Sequence, residues 1–471
     1  MTPGKRVVVL GAGLGGLSAA WVLARTGHRV TILEKTGVAG GLAITRKRDG
    51  FEYDLGPHNI HTVHEHLLAF LKRHFSASLF EHSPKAKIIK RGRLIGYPLR
   101  GLRVITSLEP WKLVPAAVSF LAARVRMFLG RKREPDRSFQ GWISNRFGRL
   151  LFREYFRPYA EKVWGIRANQ IAGYVAEKRV PVISLTELIR SALLGTTAGD
   201  KHPEFLDHNF YLRHGIGETV QFFLGELARA GVEIRYGSKV RAIRTDGQRV
   251  VSVAVAADGS DAVEELPADY VLSTIPLNEL VPMFDAVTPE ARAAAEGLDY
   301  CATVLLFLRL SRTDVIPTSM LYFSDPAVRF SRVYDVGMYS RAMVPAGKTM
   351  LCLEYPCSVG DAVWTAPDAA LAEESTEVMV KNGLFARSDL EGFHTEHISH
   401  SYPRFRVGFQ ERVSACFAFL HGYRNVLSYG RQGSFAYLNT DGVMVQGFKA
   451  ASAVAVADSM DFPCWEWFDT R

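Results

Sequence analysis

The sequence predicts an α/β chain: a Rossmann-type, doubly wound parallel sheet that binds a dinucleotide, interrupted by an inserted helical and mixed α+β substrate domain. Three observations predict it. A glycine-rich turn joins an apolar strand to a helix within residues 6–34, and a second glycine pair follows at Gly40-Gly41. Short strand-like runs then return far downstream, around residues 233, 240, 250 and 270.

Arg6 to Leu10 is a short run rich in β-branched residues, the pattern of a buried parallel strand. Gly11, Gly13 and Gly16 follow at G-x-G-x-x-G spacing, and Leu17 to Ala24 repeats apolar residues with helical period. A second strand, Val30 to Leu33, ends in Glu34. Gly11 allows the tight turn, Gly13 lets backbone approach a pyrophosphate, and Gly16 lets the helix pack close to the strand. The helix N-terminus offers unpaired N–H groups to the phosphates, and Glu34 accepts from a ribose hydroxyl.

Lys35 and Thr36 lead into GVAGGLAIT, residues 37–45, which sets Gly40 beside Gly41. This loop resembles the extended fingerprint of the flavoprotein superfamily that includes amine oxidases, protoporphyrinogen oxidase, phytoene desaturases and UDP-galactopyranose mutase. The resemblance implies FAD, with the second glycine loop along its diphosphate and ribityl chain, and a glutathione-reductase-like cofactor domain. On this reading Gly11, Gly13, Gly16, Glu34, Lys35, Gly40 and Gly41 contact the cofactor.

At 471 residues the chain is long enough for two domains. It is 48% hydrophobic, with no internal repeat and no low-complexity tract. The opening MTPGKR leaves no room for a signal peptide ahead of the first strand, and no apolar run is long enough to span a bilayer. The five cysteines (301, 352, 357, 416 and 464) lack metal-site spacing, so reduced, buried thiols in a cytoplasmic compartment are expected.

Charge is uneven. Lys85 to Arg137 holds 14 Lys or Arg against 3 acids, a balance of +11 in a chain of net +9. Within it, Trp111 to Leu129 reads as an amphipathic or mostly apolar helix closed by Arg131, Lys132 and Arg133. Three readings stand open: a peripheral contact with an anionic membrane on its inner face, a helix packed on its neighbours, or a pocket for an anionic substrate. Nucleic acid is not expected, since no binding motif accompanies the charge.

The cofactor domain is expected from residues 1–80, 215–280 and 421–471, with a helical subdomain over 81–214 and a mixed one over 281–420. Strands are predicted at Glu233–Tyr236, Val240–Ile243, Val250–Val255 and around Tyr270-Val271-Leu272. The superfamily resemblance implies that the strand holding Val240 meets the adenine and that the turn holding Thr274 lies by the cofactor.

Three further motifs narrow the resemblance. Gly56-Pro57-His58-Asn59-Ile60-His61-Thr62 resembles the GPH-x-x-HT turn of UDP-galactopyranose mutases, which implies His58 facing the flavin and tuning it or shuttling a proton. Tyr159 to Gly165 is similar to their Y-x-x-K-x-W-G segment, with Trp164 either a ligand contact or core. Gly430 to Asp441 resembles their closing G-R-x-G-x-x-x-Y-x-x-x-D segment, implying cofactor contacts by Gly430, Arg431 and Asp441 and a ligand contact by Tyr437. The departures weigh against a mutase-type nucleotide site: Ile183 and Cys301 stand where the mutases carry arginines, and Asn439 where they carry an aspartate.

Two chemistries follow. In one, oxidised FAD takes a hydride from a small apolar, lipid-like or glycosyl substrate, as in amine oxidases and protoporphyrinogen oxidase. In the other, reduced FAD supports a sugar ring contraction without net redox. The missing arginines and the cationic stretch favour the first; His58, Trp164 and Tyr437 favour the second. A homodimer is the base-rate expectation.

Overall fold

The computed structural model describes residues 4–90, 92–97, 109–132, 134–180 and 209–460. Its centre is a five-stranded, all-parallel sheet in the order Glu233–Arg235, Arg29–Leu33, Arg6–Leu10, Tyr270–Ser273, Val426–Ser428. The middle strand is buried on both faces, with Val7, Val8, Val9 and Leu10 all at 3% exposure or less. That is why its pattern is a continuous apolar run with no alternation. The helix Leu14–Arg25 packs on the long helix Thr440–Met460, where a Cβ on Gly447 would lie 2.1 Å from Ser18 Oγ. Only glycine permits that approach.

A three-stranded antiparallel sheet, Ser238–Asp246, Arg249–Ala257 and Val263–Pro267, stands beside the parallel one. Its strands extend beyond the expected Val240–Ile243 and Val250–Val255, but turn at the same place, with Gly247 at φ 56°.

The third large element is a seven-stranded mixed sheet. Its order is Leu390–Pro403, Tyr300–Leu310, Thr349–Cys357, Arg332–Asp335, Met320–Phe323, Ala86–Lys90, Arg93–Tyr97. Here the helical expectation for residues 81–214 needs correction. Residues 86–97 form a hairpin, favoured by the β-branched pair Ile88-Ile89 and by Gly92 at φ 73°. It joins the sheet through parallel pairing with Met320–Phe323. Beyond it the chain does turn helical, with Pro110–Phe128, Phe139–Phe147, Arg157–Trp164 and Gly173–Arg179. Ile183, Arg91, Arg100, Arg103, Arg133 and Cys464 lie outside the described residues.

Candidate active site

The first glycine turn is built as its spacing demands. Gly11 has φ 97°, and a Cβ there would lie 2.6 Å from Thr274 Oγ1, which itself donates to the Leu10 carbonyl at 3.0 Å. A Cβ on Gly16 would lie 2.1 Å from the Gly11 carbonyl oxygen. Gly13 is different, because its Cβ would meet nothing within 4 Å. It caps the helix Leu14–Arg25 without a side-chain cap and with no acid in the first turn. Open backbone N–H groups at a positive dipole end therefore face free space, as a pyrophosphate requires.

The second glycine loop lies against the first. Gly40 N–H donates to the Ala12 carbonyl at 2.8 Å, Gly13 and Gly40 form a bridge, and Gly40 and Gly41 both have positive φ. Glu34 is buried at the strand end, where its carboxylate accepts from Ala12 N and Thr36 N at 2.9 Å and from Thr36 Oγ1 at 2.8 Å. A carboxylate has about four acceptor sites, which leaves one for a ribose hydroxyl. Ser238 N–H donates to the Glu34 carbonyl at 2.9 Å, bringing the strand of the buried Val240 to this edge. Lys35 is exposed, with its Nζ 3.8 Å from Glu279. These residues fit an extended dinucleotide such as FAD.

The closing segment meets the same end of the sheet. Gly430, at φ 79°, donates its N–H to Gln446 Oε1 at 2.8 Å, and its Cβ would lie 3.9 Å from Thr274 Cβ. Arg431 donates to the Leu438 carbonyl at 2.7 Å and lies 4.9 Å over the Tyr402 ring, which stacks on Tyr437 at 5.7 Å. Asp441 sits in the first turn of Thr440–Met460, where burial pushes its carboxyl up.

Between this end and the seven-stranded sheet lies a cavity of about 510 Å³. His58, Asn59, His61, Arg431, Tyr437 and Asn439 line one side; Lys85, Lys87, Tyr97, Tyr322, Arg332 and Glu354 line another. The turn carrying His58 is pinned by Asp54, a fully buried carboxylate. It accepts from Thr45 Oγ1 and the Tyr211 hydroxyl at 2.6 Å each and from Ile216 N–H at 3.2 Å. Burial nonetheless pushes Asp54 up to about 6. Burial, reinforced by the nearby Arg431 and Arg332 cations, pushes His58 down to about 4, so its imidazole is neutral at pH 7. His58 Nδ1 and Asn59 Oδ1 are buried with no hydrogen-bond partner.

Arg332 and Glu354 carry no motif, and the sequence reading missed them. They form a partly buried ion pair at 2.7 Å in the cavity wall, leaving Glu354 Oε1 unpartnered, 3.9 Å from where a Cβ on Gly56 would stand. One signal was present: Glu354 is the single charged residue in the strand Thr349–Cys357.

Trp164 does not line this cavity. It is 4% exposed and lines a recess of about 40 Å³ that shares Arg332, Glu354 and Tyr402 with the larger space. Arg179 links the two, with its guanidinium 4.2 Å over Tyr437 and 6.0 Å from the Trp164 ring. Lys162 ties its helix to the sheet by donating to the carbonyls of Phe323 at 2.6 Å and Asp325 at 2.7 Å. Cys301 is buried beside Arg404, whose guanidinium pairs with Asp299 at 3.0 Å.

The two glycine loops, beside a half-open cavity of mixed polar and apolar lining, form a dinucleotide-binding cradle next to a space for a second ligand. The chain belongs to the flavin-containing amine oxidoreductase family, whose model matches residues 14–374. FAD is its cofactor. A 69-residue stretch is 44% identical to the L-amino-acid oxidase of Sistrurus catenatus edwardsii, covering 15% of this chain and only 13% of that oxidase. Coproporphyrinogen III oxidase of Propionibacterium freudenreichii subsp. freudenreichii is 22% identical over 451 residues, covering 87% of this chain and 83% of its own length. A crystal structure of reduced UDP-galactopyranose mutase is similar over 96% of both chains, with a TM-score of 0.83 and 22% identity. At that identity the likeness is one of fold.

Proposed function

We propose that this flavoenzyme is an oxidoreductase that oxidises an anionic, ring-bearing small molecule in the cavity between His58 and Tyr322. One observation carries the reading: four cations (Lys85, Lys87, Arg332, Arg431) face the cavity against a single carboxylate, Glu354, already paired with Arg332. A cationic amine would meet like charge there, and an apolar chain would leave the partly buried Lys87 and Arg431 without an anionic partner. The lining therefore supports a glycosyl or other anionic ring over the apolar, lipid-like alternative.

Bound FAD supplies a two-electron acceptor for the hydride released from a substrate C–H bond. The lysines and Arg431 bind and orient the anionic groups, and Tyr97, Tyr322, Tyr402 and Tyr437 offer flat faces to the ring and displace water. His58, neutral and with Nδ1 unsatisfied, takes the proton that leaves the oxygen or nitrogen beside the oxidised carbon. Asp54 positions His58 through the turn.

A second reading, a sugar ring-contracting mutase, is favoured by the Tyr437–Arg179–Trp164 arrangement, which offers a cation between two aromatic rings. Cys301 weighs against it, since it brings no positive charge to the recess. Two incubations of the holoprotein separate the readings. Bleaching of the oxidised flavin band by an anionic sugar or cyclic acid, without added reductant, supports the oxidoreductase. Isomerisation of UDP-galactopyranose only after dithionite reduction supports the mutase and contradicts the first reading.

A further inference from the structure

The helix Pro110–Phe128 packs inward through small or limited contacts. Ala116 and Ala123 are buried, and Leu113 and Phe120 meet Leu151 and Tyr155. Its outer face is unusual. Trp111, Val114, Val118, Leu121, Val125 and Phe128 are all exposed, Phe128 at 90% and Trp111 at 71%. At about 100° per residue these six fall within a sector about 100° wide, a continuous apolar stripe facing solvent. Scattered exposed apolar residues are ordinary, but a contiguous stripe marks a contact surface.

Cations border the stripe. On the same wheel Arg124 lies beyond one edge and Arg126 beyond the other, and Arg131 and Lys132 follow the helix end. Arg126 and Arg131 converge with Arg149 on a recess of about 160 Å³ between this helix and Phe139–Phe147, beside Ser144 and Asn145. Among the described residues, these three guanidinium groups have no acidic partner: the nearby Asp136 is engaged by Lys132 and Arg146. An apolar stripe framed by cations, with three guanidinium groups gathered at one recess beside it, complements acyl chains and phosphate groups together.

We propose that this face docks the enzyme on an anionic phospholipid bilayer, with the helix lying in the interface and the Arg126–Arg131–Arg149 recess holding a headgroup phosphate. The helix lies on the membrane and does not cross it: no described helix is long and apolar enough to span, and this one carries Lys112, Arg124 and Arg126. The docking face also connects to the cavity wall. Lys90 donates to the Glu154 carbonyl at 3.0 Å and Lys112 pairs with the Glu154 carboxylate at 2.9 Å, while Lys85 and Lys87, toward the opposite end of Lys90's hairpin strand, line the cavity. The proposal does not depend on which reaction the cavity performs.

The test is sedimentation of the FAD-loaded full chain with vesicles of phosphatidylcholine alone or of phosphatidylcholine mixed with phosphatidylglycerol. We expect binding to the mixed vesicles only, weakened by salt within the Debye regime. Arg126→Gln, Arg131→Gln and Arg149→Gln combined are expected to weaken partitioning roughly 100-fold, at about 1 kcal/mol per cation near the surface. Val118→Asp with Leu121→Asp should abolish binding while leaving FAD content and melting temperature unchanged, since both side chains are exposed. Failure to bind mixed vesicles, binding indifferent to lipid charge, or undiminished binding by the double aspartate variant would each overturn the proposal. So would a solution dimer that the aspartate variant splits in the absence of vesicle binding, which assigns the stripe to a second copy of the chain.

Discussion

His58 shows how placement sets chemistry at the scale of one side chain. The imidazole is neutral because burial and two nearby arginines hold its proton affinity down to about 4. The pH profile of the reductive half-reaction should therefore lack an inflection near the ordinary histidine value of about 6.5. His58→Phe should lower the rate of flavin reduction by roughly 10²- to 10⁴-fold with FAD content retained; an unchanged rate removes the residue from the proton path. His58 was legible in the sequence because a Gly-Pro turn announces it. Arg332 was not, since a lone arginine in a short strand looks like a solvated edge until Glu354 is seen across the sheet at 2.7 Å. Trp164 illustrates the opposite limit: its motif could not tell a ligand face from the core in which it mostly lies.

Single elements give a sharper test, because two glycines of one turn have opposite surroundings. A methyl group on Gly13 meets no protein atom within 4 Å, whereas one on Gly16 meets backbone at 2.1 Å. Gly13→Ala is expected to fold normally and to lose FAD, read as flavin stoichiometry against an unchanged apoprotein melt. Gly16→Ala is expected to cost about 1–3 kcal/mol of stability by forced overpacking, measured by urea denaturation of the apoprotein. Equal behaviour of the two variants would contradict the cradle. The strand Arg6–Leu10, its helix and the helix Pro110–Phe128 were readable locally, the strand from its continuous β-branched run and the helices from their apolar residues at helical spacing. The hairpin at 86–97 was not. Its residues fell within the span expected to be helical, and its stabilising partner, Met320–Phe323, lies some 230 residues away in sequence.

Across the whole molecule, buried titratable groups set the acid response. Burial lowers His58, His82 and His394 each to about 4, below the unfolded value of about 6.5. Between those values the unfolded chain binds protons that the folded one refuses, so stability falls as pH drops through this window. Asp54, raised by burial to about 6, works the other way: folded, it binds its proton first and gains stability as pH falls below about 6. Asp335 and Asp441 are also raised by burial and His74, His400 and His421 also lowered by it, so six histidines oppose three carboxyls. We expect the melting temperature to fall between about pH 6.5 and pH 4, and His394→Leu to flatten that slope; a flat or rising curve for the native chain would contradict the burial of these histidines. The five parallel strands are drawn from residues 6 to 428, and four of them carried local strand signals, whereas Val426–Ser428 carried none. The seven-stranded sheet that forms the far wall of the cavity was not foreseen, because its register depends on pairings no local pattern encodes.

On the proposed function, a cation-lined cavity beside FAD selects an anionic substrate for oxidation. The most direct test is anaerobic flavin absorbance after mixing the holoprotein with cell metabolites separated by ion exchange into anionic, neutral and cationic pools. Bleaching of the oxidised flavin band by the anionic pool alone is expected, lost on combined replacement of Lys85 and Lys87 by glutamine. Bleaching by the cationic amine pool, with the anionic pool inert, would contradict it.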